Sequence, residues 1–424
     1  MARTDNGAVA DTLEPDSTPV NAEHGPTPDR RRRSFTDPLT DWRRTSGPLL
    51  GPRALLVLRW LAVAVWAVLV GRWIAQDGIS YDRNSLLLVI CTGLIAATIG
   101  RRRSLTVIRD WLPFAAVLLV YDLSRGAATL FGRPTQWHLQ IDADRALFLG
   151  HEPTVWLQSH LKEPQPPWWE TGVSLVYVSF FFAPYVAAGV LWLRNRDEWR
   201  KFVLRFVLIS FIGLAGFVAF PAAPPWAASL CNTTQVASGP SDPPCIDLPF
   251  GAVKDGGMLG QVQPTHPPAA PWVERISTRG WDKLGVPQAK ALIDEGQAGV
   301  NEVAAVPSLH AAISMLITVF FWSRVRKRWR PLLLGYALVM AFSLVYSAEH
   351  YVFDILLGWL LTAGVSYGFY RWENRRRAGR DDAAGQSGQG SGQPDWGSGQ
   401  SDRGSADIPQ APADTLDGSL LARP

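Results

Sequence analysis

Polar and apolar residues are segregated along this chain into long blocks. Apolar runs cover about 54–74, 85–100, 110–131, 169–193, 202–220, 308–323, 332–348 and 352–370. Each approaches the roughly 20 residues that an α-helix needs to cross ~30 Å of hydrocarbon. The pattern therefore predicts an all-α fold, a polytopic membrane helical bundle of about eight transmembrane helices. The second and sixth runs are the shortest, and their boundaries are the least defined. Residues 1–53 are rich in Pro, Thr, Asp and Arg without periodicity and read as a disordered N-terminal tail. Residues 378–424, rich in Gly, Ser, Gln and Asp, read as a second disordered tail. No secretory leader is expected in 1–53, because the first apolar run comes too late and is too long.

Composition and charge refine this picture by position. A mean hydropathy of +0.03 over 424 residues averages apolar runs against polar ends. A formal charge of +4 is too small to argue for nucleic acid. The basic residues instead fall in alternate connections: Arg101 to Arg103, the segments 194–201 and 324–330, and 371–377. By the positive-inside rule both termini are cytoplasmic, and the connections 132–167 and 221–307 lie outside the plasma membrane, in a cell expected to be bacterial. Nineteen tryptophans, several at the ends of apolar runs, fit interfacial belts. The run from Arg30 to Arg33 is either a solvated charge block or a contact for anionic lipid. Cys91 lies inside an apolar run as a core residue. Cys231 and Cys245 share the long outer connection, where an oxidising compartment would join them. Closing a loop of that length contributes roughly 3 kcal/mol.

The candidate chemistry lies in two stretches. In Val306-Pro307-Ser308-Leu309-His310, Pro307 is placed to start a helix, since its missing N–H is an orphan there. The N–H groups of Ser308, Leu309 and His310 would then face the outer boundary as an anion site. In Glu349-His350-Tyr351-Val352-Phe353-Asp354, a helix would put His350 and Asp354 on one face. Two histidines and a carboxylate at the mouths of adjacent spans suit attack on phosphorus, with one histidine as nucleophile and the other as acid. Each residue also has a plainer role, His as a satisfied interfacial polar group and Asp354 as a helix-dipole partner. Glu302, His310, Glu349, His350 and Asp354 lack zinc-ligand spacing, so no metal and no cofactor are expected.

Pro307-Ser308-Leu309-His310 together with His350-x-x-x-Asp354 resembles the second and third signatures of the type-2 phosphatidic acid phosphatase (lipid phosphate phosphatase) superfamily. The form here looks like the branch that includes the inositol phosphorylceramide synthases. The resemblance covers roughly 105–372. It implies a six-helix phosphatase-like core in a phosphatase/phosphotransferase membrane domain over 105–377, preceded by two additional transmembrane helices over 54–104. It further implies that His350 forms a phosphohistidine, that Asp354 holds it, that His310 protonates the leaving alcohol, and that Ser308 helps hold phosphate. Two departures stand out. The third signature usually opens with Ser-Arg, where this chain has Ser343-Leu344. The first, Lys-x6-Arg-Pro, is matched only by Arg133-Pro134, with Arg125 one position out of register. Arg125 either supplies positive charge to the phosphate or pairs with Asp122; Arg133 is the weaker candidate.

His138, Asp142 and Arg145 precede Pro153 to Gln158, a segment that fits an amphipathic surface helix or plain packing. The expected partners are the membrane and a lipid phosphate or phospholipid substrate. Phosphatase and inositol-phosphate-type phosphotransferase share every step up to the phosphohistidine and stay open here. A non-catalytic lipid-binding or lipid-transport protein that kept the fold is the alternative, and Leu344 is its argument.

Overall fold

The computed structural model describes residues 51–77, 83–99, 104–127, 131–249, 251–284 and 305–389. The helices in chain order are α1 (Pro52–Asp77), α2 (Arg83–Thr98), α3 (Ser104–Ala127), α4 (Leu139–Leu147), α5 (Pro153–Leu161), α6 (Trp168–Arg194) and α7 (Arg196–Ala219). They continue with α8 (Pro225–Ala228), α9 (Leu309–Trp322), α10 (Arg330–Tyr346) and α11 (Val352–Gln389). No strand occurs among the described residues beyond an isolated parallel bridge between Gln136 and Ala222. Arg53–Gln76, Trp168–Arg194, Arg196–Ala219, Lys327–Tyr346 and Val352–Arg376 are long and apolar enough to cross a membrane, and Ser85–Thr98 and Leu309–Trp322 are shorter apolar helices. The protein is an all-α polytopic membrane protein.

The chain divides into a unit over 1–58 and a unit over 59–424. Of the first, the described part is the start of α1, whose Leu56, Val57 and Leu58 are exposed. The packing that follows belongs to the second.

The helices track the apolar runs, but several ends move; α7, for one, starts at Arg196, ahead of its run. The third helix starts at Ser104, ahead of its apolar run, and takes in the charged pair Arg109-Asp110. Tertiary pairing makes this affordable, since Asp110 receives both a forked bond from Arg196 and the Trp192 indole N–H at 3.0 Å. The last helix continues to Gln389 and so enters the segment read as a tail. Ala378, Ala383, Ala384 and Gln386 all suit a helix, and composition alone had weighed the glycines and serines more heavily.

Two ends can be told apart from contacts. At one, Arg324 pairs with Glu198, and Arg205 with Glu373 at 2.9 Å. This joins the α6–α7 and α9–α10 turns to the far part of α11. At the other end lie α4, α5, α8 and the connection after α7. There Trp226 N–H donates to the Ala348 carbonyl at 3.0 Å.

Between the ends, one apolar cluster draws on α2, α3, α6, α7, α9 and α11, including Trp111, Tyr185, Phe206, Ile209 and Leu316. In lipid, association of such helices relies on close packing, because tails are as apolar as leucine. Gly358 on α11 provides that closeness: a Cβ there would run into the Ser308 carbonyl and lie 3.2 Å from Ala312 N. One turn further, Thr362 Oγ1 donates to the Ala312 carbonyl at 2.7 Å.

The connection after α7 forms a small core of its own from Trp226, Cys231, Val236, Cys245, Leu259 and Val273, and Ala348 and Tyr351 pack into it. Cys231 and Cys245 are joined in a disulfide. Polar staples hold this layer down. Gln158 Nε2 donates to the Glu274 and Tyr346 carbonyls, both at 2.8 Å, and Lys162 Nζ bonds the Trp272 carbonyl at 2.5 Å. Arg279 forks onto Glu170, which also accepts Tyr346 Oη at 2.6 Å.

Candidate phosphate-transfer site

The start of α9 is set by Ser308. Its fully buried hydroxyl accepts Ala311 N–H at 3.3 Å as the N-cap, so the first helical residue is Leu309 and Pro307 precedes the cap. The expectation that Pro307 itself opens the helix is corrected: serine is the stronger cap because its oxygen reaches an orphan amide. The expected free Ser308 N–H is also corrected, since it donates to the Asp354 carbonyl at 3.1 Å. That bond ties the two signature segments together.

His350 lies ahead of α11, in the turn that ends α10. The Leu344 carbonyl accepts both Glu349 N–H at 2.9 Å and His350 N–H at 3.2 Å. Ala348 carries this reversal with φ of +61°, a left-handed conformation unusual for a residue with a side chain. His350 Nδ1 lies 3.4 Å from Asp354 Oδ2, and Asp354 is completely buried. The distance is a contact slightly longer than a good hydrogen bond; such bonds tighten when a reacting group binds. Asp354 Oδ2 also accepts Tyr351 N–H at 3.1 Å.

His310 reaches the same place from α9. Its ring centroid is 5.6 Å from that of His350. On its other faces are Tyr177, stacked at 5.2 Å and 14°, and Phe180 and Phe181, all from α6. Two imidazoles and one carboxylate, 44 residues apart in chain from His310 to Asp354, thus share one small volume.

The residues expected to hold phosphate are less gathered. Arg133 is exposed in the segment before α4. Arg125 falls near the end of α3, and its side chain lies outside the described residues, as do Glu302 and the run Arg30 to Arg33. Leu344, at the place where the resembled signature has arginine, is fully buried among Tyr177, Val178, Trp281, Ala311 and Met340. A guanidinium could not be hydrated there. Among the described residues no three His, Cys, Asp or Glu side chains gather as metal ligands.

Sequence reading missed the supports around His350. Glu349 is buried and takes a fork from Arg275, at 2.8 and 3.0 Å, plus the Ser277 hydroxyl at 2.6 Å. Burial acts to raise the Glu349 carboxyl, but Arg275 and Ser277 outweigh it and hold the carboxyl below its usual range. Arg275 also lies 4.9 Å over the Trp226 ring. Nothing in the sequence singles out Glu274-Arg275 from the other charged residues of the long connection, such as Lys254-Asp255 and Asp282-Lys283. Asp144, on α4, accepts Val352 and Phe353 N–H at 2.9 and 2.8 Å, and carried no signal at all.

The comparisons with known proteins give the family. The family model of the PAP2 superfamily matches residues 140–368, more than half of the chain. The chain belongs to the PAP2 superfamily. It is similar to the phosphoinositol dihydroceramide synthase of Bacteroides thetaiotaomicron, with 26% identity over 195 residues, 44% of this chain and 52% of that protein. The chain therefore spans about half the length of the curated relative it matches. No solved structure matches.

Proposed function

We propose that this protein is an integral membrane phosphotransferase that moves a phosphate-bearing head group between lipids through a phosphohistidine on His350. The observation that carries the reading is the placement of His350 between Asp354 at 3.4 Å and His310 at 5.6 Å between ring centroids. With the Nδ1 proton directed to Asp354, the Nε2 lone pair faces away from the carboxylate and attacks phosphorus. The N–P bond forms as the P–O bond to the leaving alcohol breaks, and His310 donates its proton to that oxygen. In the second half His310 takes the proton of an incoming hydroxyl, whose oxygen attacks phosphorus and releases His350. The first turn of α9, capped by Ser308, is the proposed cradle for the phosphate oxygens. Arg125, Arg133 and Arg275 are the arginines from which the compensating positive charge is drawn.

Transfer is favoured over hydrolysis because His350 is only 7% exposed, which limits access of bulk water, and because of the similarity to a synthase. The alternate basic connections support a site on the external face, with both termini cytoplasmic. The phosphotransferase domain is assigned to 105–377, with the helices of 54–104 outside it.

The test is purified full-length protein supplied with labelled phospholipids, with and without lipid alcohol acceptors. His350→Ala is expected to abolish turnover, by at least about a thousandfold, and His310→Ala to accumulate an acid-labile, base-stable phosphoprotein. Wild-type turnover in His350→Ala would end the covalent mechanism. Release of free phosphate regardless of acceptor would make the enzyme a phosphatase.

A further inference from the structure

A helix start leaves its first N–H groups without intrahelical partners, and a short polar side chain at the cap position normally satisfies one. The residue before α11 is Tyr351, whose hydroxyl sits at the far end of a rigid ring and cannot fold back onto that turn. The residue at the cap position therefore offers the Val352 and Phe353 amides no side-chain acceptor. The cap comes instead from 208 residues away: Asp144 Oδ2 accepts Val352 N–H at 2.9 Å and Oδ1 accepts Phe353 N–H at 2.8 Å. Tyr351 N–H goes to Asp354 Oδ2 at 3.1 Å. Two carboxylates thus hold three successive amides, and one of the two is the partner of His350.

Asp144 is completely buried. Arg145 neighbours it on α4, Glu152 faces it from the N-cap of α5, and Tyr351 and Asp354 face it from the α11 side. Glu152 Oε2 caps α5 by accepting Val155 N–H at 2.7 Å, whereas its Oε1 and the Tyr351 hydroxyl have no hydrogen-bond partner. Burial, opposed by the two amide bonds and reinforced by Asp354, pushes the Asp144 carboxyl up to about 6.

We propose that Asp144 is a positioning residue for phosphate transfer: by gripping the Val352 and Phe353 amides it fixes the turn that sets Asp354 against His350. It touches neither the phosphorus nor the leaving group, and it acts through the backbone. The inference rests on His350 being the nucleophile, but the grip itself can be read without turnover.

The experiment compares wild type, Asp144→Asn and Asp144→Ala as full-length purified protein. Amide hydrogen exchange over 351–354 is expected to speed up about tenfold or more in Asp144→Ala and less in Asp144→Asn, which keeps one acceptor oxygen. In the transfer assay, kcat is expected to fall by about tenfold to a hundredfold while KM changes less than about twofold. Asp144→Asn should fall less than Asp144→Ala. Protonation of Asp144 near pH 6 is expected to weaken the grip and lower wild-type kcat on the acid side, and the Asn variant, which has no carboxyl to protonate, should lack that part of the fall. Unchanged exchange in Asp144→Ala would overturn the grip. Wild-type kcat with an unshifted acid limb in Asp144→Asn would overturn its catalytic consequence. If His350→Ala were active, the transfer mechanism would fall while the exchange result still reported on the grip.

Discussion

Glu152 and Glu349 are both buried carboxylates, yet their effects on stability have opposite signs. Burial pushes the Glu152 carboxyl up to about 7, and Asp144 adds repulsion. Above that pH the folded chain must hold a charge out of water; below it, the folded state binds a proton that the unfolded chain does not. Stability from Glu152 therefore rises as pH falls through about 7 toward the ordinary carboxylate range, and Asp144 adds the same sign near 6. Glu349, held low by Arg275 and Ser277 against burial, contributes stability above the ordinary range and loses it only in stronger acid. Between pH 8 and 5 Glu152 and Asp144 act in the same direction. Glu152→Gln, which keeps a capping oxygen without the charge, is expected to be more stable than wild type at pH 8 by about 1–3 kcal/mol, at 1.36 kcal/mol per pKa unit. The gain should vanish by pH 5. Thermal unfolding of purified protein at both pH values checks this, and equal midpoints at pH 8 would refute it. At this scale the candidate groups were legible, because His350, Asp354 and His310 sit in two short local patterns that the fold brings together. Asp144 and Arg275 were not: each earns its role from a partner 208 or 74 residues away.

At the scale of elements, the decisive contact is the crossing of α9 and α11. Its closeness lets Ser308 N–H reach the Asp354 carbonyl and brings His310 toward His350. Gly358→Ala places a methyl group against the Ser308 carbonyl and should cost about 1–3 kcal/mol, as overpacking does. It should also lower kcat by moving one histidine relative to the other. Gly364→Ala, on the same helix with nothing within 4 Å of the added carbon, is the control and should leave both unchanged. Thermal midpoints and initial rates of the pair decide the matter; equal behaviour would mean that the crossing tolerates separation. The helices themselves were readable from hydropathy, with ends moved by forces that hydropathy does not carry. Asp110 joined α3 because Arg196 and Trp192 meet it, and Pro307 fell outside α9 because Ser308 took the cap.

For the whole molecule, the two ends make an orientation testable. With Cys91→Ser as background, a cysteine at exposed position 266 (His266→Cys) is expected to react with a membrane-impermeant thiol reagent from outside intact cells. One at exposed position 326 (Arg326→Cys) should react only after permeabilisation. The reverse pattern would put the histidines on the cytoplasmic side. The sequence by itself determined the helical class, the approximate spans, the basic connections and which three side chains are the candidates for the site. It could do so because a bilayer requires each crossing segment to satisfy its backbone within itself and to be apolar along a contiguous stretch. Only the tertiary structure decided that Leu344 belongs to the core, that the connection after α7 packs as a stapled layer, and that Asp144, Glu349 and Arg275 brace the turn of His350. Those outcomes depend on packing and hydrogen bonds between segments far apart in the chain, and such contacts leave no periodicity for a sequence to display.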